Sequence, residues 1–129
     1  MTLETADLIE IQQLYARYNT AIDTGDGEAF GNCFVGDGHF DSGIAQIDGR
    51  EDIAAFAIKT HSAMPGMRHN ATNILLDGDS DGRAQGSAFL IGYLVDAGYK
   101  VIVTGRYTDE LTKTSEGWRF TSRVFKADS

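Results

Sequence analysis

Cys33 is the only cysteine in 129 residues, so no disulfide can form within the chain. Set between Asn32 and Phe34 in an apolar run, it reads as a small core residue, the usual place of a free cysteine. Proline is as rare, with Pro65 alone, and no low-complexity tract, internal repeat or linker divides the chain. Residues 1–129 are therefore expected to form one domain. No apolar stretch approaches the ~20 residues that a bilayer span needs. The opening MTLETADLIEIQQLY is acidic and has no basic segment leading into an apolar run, unlike a secretory signal. The cytosol is the expected compartment, where the Asn70-Ala71-Thr72 sequon goes unused. Positive charge is also scarce: 11 Lys and Arg against 19 Asp and Glu leave a net charge of −8. Such a surface repels phosphates and no Lys/Arg cluster offsets it, so neither nucleic acid nor membrane is an expected partner. No glycine-rich phosphate loop, Ser/His/Asp motif or CxxC pair is present. Nucleotide cofactors and covalent nucleophiles find no support, and no cofactor is expected.

What is present is a hydrophobic fraction of 42%, enough for a real core. Helical spacing runs from about Thr5 to Asp23, with Leu8, Ile11, Tyr15, Tyr18 and Ile22 on one face. Gly25 can end this helix in the left-handed conformation that other residues resist. Asp26 can then cap a short second helix through Glu28, Phe30 and Phe34. Gly36 to Gly49 is rich in Gly and Asp, with apolar pieces at His39-Phe40 and Ile44–Ile47, the pattern of a short hairpin. A third helix is predicted from Glu51 to Ala63, with Ile53, Phe56, Ala57 and Thr60 on one face and Met64-Pro65-Gly66 as its stop.

Four long strands are predicted next: Met67 to Leu76, Arg83 to Val95, Tyr99 to Leu111 and Gly117 to Lys126. Turn signals at Asp77–Gly82, Asp96-Ala97-Gly98 and Thr114–Gly117 separate them. Connections this short force antiparallel neighbours, because a parallel crossover takes a dozen residues or more. Helices first and a meander last make an α+β domain, a curved and mostly antiparallel sheet wrapped around the N-terminal helices. One deep, mostly apolar pocket is expected inside the curve. Ala84, Gly86, Ala88 and Gly92 share one strand face, which fits either a sharp bend or a helix lying close against them.

Tyr15, Asn19 and Asp23 follow at i, i+4 and i+8, a polar row along one flank of the first helix's apolar stripe. Asp23 lies in the last turn, where the helix dipole disfavours a carboxylate. Local rules broken in this way tend to mark functional sites, although a solvated Asp at a helix end is the plainer alternative. His69 alternates with Met67, Ala71, Asn73 and Leu75 on a mixed strand face and is a candidate to point inward. With a carboxylate on one ring nitrogen, the other nitrogen becomes a better general base. Arg123, alternating with Thr121 and Phe125, is either a buried cation or a surface charge. Tyr18, Tyr93 and Tyr107 either line the pocket or fill the core. Asp37, His39 and Asp41 alternate as potential metal ligands, but loop polarity explains them equally well, and no metal is expected. His61 reads as an exposed residue late in the third helix.

Four stretches then carry a resemblance: Tyr15-Ala-Arg-Tyr-Asn-Thr-Ala-Ile-Asp23, Arg68-His69-Asn-Ala-Thr-Asn73, Gly105-Arg-Tyr-Thr-Asp-Glu-Leu111, and Gly117-Trp118-Arg119-Phe120 ahead of Arg123. Together they resemble the SnoaL-like group of the nuclear transport factor 2-like (cystatin-like) superfamily, over nearly the whole chain. Among its enzymes the chain is most similar to hexachlorocyclohexane dehydrochlorinase and, more distantly, scytalone dehydratase. The resemblance implies a cone-shaped α+β barrel in which Asp23 orients His69, His69 removes a proton, and Arg123 sits near the leaving group. It implies a cofactor-independent lyase or isomerase in a homodimer or homotrimer, and the expected substrate is a small, apolar, cyclic molecule. The first-helix Lys of the dehydrochlorinase has no counterpart here. A polyketide cyclase or ketosteroid isomerase-like enzyme using Asp23 itself is the alternative within the group. A ligand-binding protein or dioxygenase small-subunit-like protein is the non-catalytic one.

Overall fold

The computed structural model describes residues 3–78 and 81–129; Asp79 and Ser80, inside the turn predicted at Asp77–Gly82, lie outside the described residues. Helix α1 spans Thr5–Thr24 and α2 Gly27–Gly31, followed by strands β1 Phe34–Asp41 and β2 Gln46–Asp48. Helix α3 is Arg50–Ala63, and strands β3 Met67–Gly78, β4 Arg83–Leu94, β5 Lys100–Thr114 and β6 Gly117–Ala127 complete the chain, with a short 3₁₀ turn at Val95–Ala97. Gly25 ends α1 at φ 75°, and its N–H returns to the carbonyls of Ala21 and Ile22. Asp26 caps α2 by accepting from the Ala29 N–H at 3.0 Å. That helix is shorter than predicted: Phe34 opens β1 instead, pairing with Phe120.

All six strands form one curved, open sheet in the order β2-β1-β6-β5-β4-β3. The meander β3-β4-β5-β6 is antiparallel, as its short connections require, but β1 joins β6 in parallel. The sequence carries no local sign of that pairing, because β2, α3 and the strands β3 to β5 separate the two partners. Inward and outward residues alternate cleanly on β5, where Gly105, Tyr107, Asp109 and Leu111 are buried and their neighbours exposed. Alternation fails on β3. Asn73 takes a left-handed φ of 54° in a register shift between Thr72 and Leu75, so Leu75 turns away from the side of His69 and is 67% exposed.

Helix α1 lies inside the curve, with Ile11, Leu14, Tyr15, Tyr18 and Ile22 in the core beside Phe34, Phe40, Trp118 and Phe120. The small residues of β4 make room for it. A side chain at Gly86 would collide with the Tyr15 hydroxyl, and Ala84 and Ala88 are buried on the same face. Among the described residues, no helix is long and apolar enough to cross a membrane.

Two carboxylates fasten the start of α1 to the β5–β6 hairpin. Asp7 accepts from the Trp118 indole N–H at 3.0 Å and from Lys113 Nζ at 3.1 Å, while Glu10 accepts from the Trp118 backbone N–H. The indole bond first, and Lys113 next, hold the Asp7 carboxyl below its ordinary value of 3.8. A depressed carboxyl stabilises the fold above 3.8 and loses that contribution as pH falls below it. Asp7→Asn is therefore expected to weaken the protein at neutral pH, with the gap to wild type closing on the acid side of 3.8, as read from urea midpoints across pH.

Candidate active site

Asp23 and His69 meet although 46 positions separate them in sequence. The α1 face that buries Tyr15 and Tyr18 carries Asp23 to the edge of the sheet, and β3 is that edge. Asp23 Oδ1 lies 2.6 Å from His69 Nδ1, and Oδ2 accepts the His69 backbone N–H at 2.9 Å. One carboxylate thus holds both the ring and the backbone of one residue, which fixes the imidazole in position. An ionised carboxylate only accepts, so Nδ1 carries the hydrogen and Nε2 keeps its lone pair. Both side chains are largely withdrawn from solvent, at 11% exposure for His69 and 13% for Asp23.

His69 forms part of the wall of a cavity of about 580 Å³ between α1, α3 and the concave face of the sheet. The rest of the wall is mostly apolar and aromatic, with Ile22, Phe40, Phe56, Leu90 and Phe125 prominent. Tyr18 and Tyr107 add the polar tips, their hydroxyls hydrogen-bonded to each other. Burial pushes both phenols up, so they remain protonated donors across the physiological range. Asp23 stands behind His69 and is not among the residues that line the cavity. Tyr15 and Asn19 face a second, smaller recess of about 280 Å³ between α1 and β3, which His69 also borders.

Two further candidates line neither space. Alternation turns Tyr93 to the outer face of the sheet, where its hydroxyl accepts from Asn70 Nδ2 at 3.2 Å. Arg123 points inward, one of the two orientations open from sequence, but it lies beneath the cavity rather than on its wall. Its Nε is 2.9 Å from Asp109 Oδ1, and the Tyr15 hydroxyl donates to the same carboxylate. The guanidinium carbon sits 3.5 Å from the ring centre of Tyr107, 4.3 Å from that of Tyr18 and 4.8 Å from that of Tyr15. Burial works against its charge, yet Asp109 and the surrounding phenols hold its pKa above the ordinary value. Sequence reasoning missed Asp109. The available signal was an acidic residue at an inward position of β5, between Tyr107 and Leu111.

The metal-ligand pattern around His39 resolves into an exposed pair, with Nδ1 2.7 Å from Asp48 Oδ1 across the β1–β2 hairpin. Among the described residues, no group of three His, Cys, Asp or Glu side chains converges as a metal site would require. His61 is less exposed than expected, with its ring against Gly25. Cys33 is buried, and burial pushes its thiol up to about 11, the state of an inert core residue.

A helix-filled, curved, open sheet of this order is the cystatin-like fold. A cystatin-like protein from Nostoc punctiforme superposes with a TM-score of 0.89 at 22% identity, covering 99% of this chain and 96% of its own. Residues 4–124 match the SnoaL-like domain family. The chain belongs to that family, within the nuclear transport factor 2-like superfamily. Rv3472 of Mycobacterium tuberculosis, a protein of unknown function, is 33% identical with a TM-score of 0.89, over 97% of this chain and 78% of its own. Rv2910c of the same organism is 30% identical over 128 residues, 94% of this chain and 85% of its own.

Removing one partner of a buried ion pair leaves the other charge without compensation, at a cost of about 3–5 kcal/mol. Asp109→Ala is expected to lower stability by that order, and Asp109→Leu combined with Arg123→Met to recover most of it. Urea unfolding of the three proteins measures both effects.

Proposed function

We propose that this protein is a cofactor-independent lyase or isomerase in which His69 removes a proton from carbon in a small, neutral, apolar molecule. One observation carries the proposal: an imidazole held by a carboxylate at 2.6 Å, in the wall of an apolar cavity of about 580 Å³. Such a volume suits a ring compound of modest size. Nε2 would take the proton, and Asp23 would stabilise the imidazolium that forms. Water exclusion strengthens that interaction, because the charges face little competing solvent. The Tyr18–Tyr107 pair would donate the one hydroxyl hydrogen not used in its own mutual bond to the oxygen or other group on which negative charge develops. Arg123 would act from behind them, as a positioning residue that fixes the two rings.

The alternative, with Asp23 as the base, is less favoured. Both of its oxygens are engaged by His69, and it has no share of the cavity wall. The net charge of −8 argues against anionic substrates.

Nitrobenzisoxazole tests the reading without knowledge of the natural substrate, since loss of one C–H proton opens its ring to a coloured phenolate. His69→Ala is expected to slow this elimination by about 10²–10⁴-fold, the range of general-base catalysis. Asp23→Asn is expected to slow it as well, with circular dichroism unchanged in both. An unaltered rate in His69→Ala would overturn the assignment. An unaltered rate in that variant combined with loss in Asp23→Asn would make Asp23 the base.

A further inference from the structure

The second recess, between α1 and β3, holds an unpaired polar atom. Asn19 is 8% exposed, and among the described residues nothing bonds its Oδ1. Asn19 lies one helical turn before Asp23, and Ala71 lies two residues after His69. A turn of helix and a two-residue step of strand both advance about 5–7 Å, so with Asp23 level with His69, Asn19 comes level with Ala71. Both residues line the recess.

The strand opposite Asn19 presents backbone polar groups. His69 pairs in register with Gly92 and Ala71 with Leu90, yet the His69 N–H turns away from β4 and bonds Asp23. Bonded and non-bonded pairs alternate along an antiparallel ladder, so Ala71 turns its N–H and C=O to the same free edge. Gln12 and Thr20 complete a polar border, and at about 280 Å³ the space admits several waters.

We propose that this recess is a built water site, with one water donating to Asn19 Oδ1 and accepting the Ala71 N–H, and that it gives His69 a proton route to solvent. The site itself stands on Asn19 and the strand edge; the proton route also rests on His69 being the base. After Nε2 has taken a proton from carbon, the imidazolium passes that Nε2 proton through the waters of the recess, which release one to bulk solvent, and the neutral imidazole returns with its hydrogen still on Nδ1 against Asp23. Nothing is oxidised or reduced. The route bypasses the apolar cavity, so the base can be reset while an organic molecule fills it.

The test begins with a crystal structure of the wild-type protein at a resolution that orders water. Proton exchange of the His69 imidazole with solvent is then measured by NMR on histidine-labelled protein saturated with naphthalene, an apolar filler of the cavity. Asn19→Leu, which plugs the recess, is expected to slow exchange roughly tenfold, whereas Asn19→Ala, which removes the water's acceptor but leaves room for other waters, slows it less. Density for water on Asn19 Oδ1, together with that contrast, supports the proposal. A wild-type crystal without that water overturns the site, whatever the fate of the variants. Equal exchange in folded Asn19→Leu and wild type overturns the route. Failure of the base assignment would appear elsewhere, as unaltered nitrobenzisoxazole elimination in His69→Ala.

Discussion

A guanidinium at 1% exposure is costly unless it is matched, and Arg123 is matched from three elements at once. Strand β5 supplies Asp109 and the ring of Tyr107, helix α1 supplies Tyr15 and Tyr18, and β6 supplies Phe120. The depth of α1 in the curve of the sheet depends on this joint. The Tyr15 hydroxyl reaches Asp109 only because β4 carries glycine at position 86, and the same closeness brings Tyr18 against Tyr107. A single buried cation thereby sets the distance between helix and sheet, and with it the width of the cavity above.

Helix α1 distributes four tasks by its periodicity alone. Ile11, Leu14 and Ile22 fill the core, Tyr15 and Tyr18 clasp the cation, and Asp23 leaves the core at the sheet edge to take both hydrogens of His69. Asn19 falls between these groups and faces the seam with β3. Because Asp23 binds a backbone N–H as well as a ring nitrogen, it does two kinds of work. It closes one position of an otherwise unpaired strand edge, and it orients the imidazole. The lost dipole stabilisation at a helix end is offset by two hydrogen bonds from a well-placed partner.

Most of the fold was legible because its signals are local. Helical spacing, glycine stops and turn clusters placed three helices and four long strands within a few residues of their observed limits. The parallel contact of β1 with β6 was not legible, since a pairing between distant segments leaves no periodic mark on either. In the site, the i, i+4, i+8 row of Tyr15, Asn19 and Asp23 was visible, and the resemblance supplied His69 as the partner of Asp23. Arg123 was visible as a residue but not as a pair, because the inward position of Asp109 emerges only once the register of β5 is known. Leu75 was misplaced for a similar reason: strict alternation holds no information about a bulge at Asn73.

Gly25 carries an obligation beyond ending a helix. A β-carbon there would stand 2.6 Å from the His61 ring, so any other residue must push α3 away or displace the end of α1. Two residues upstream on that same end sits Asp23, whose 2.6 Å contact leaves little slack. Evolutionary drift at this turn is therefore coupled to the acid, and a glycine that touches no ligand belongs to the heritable definition of the site.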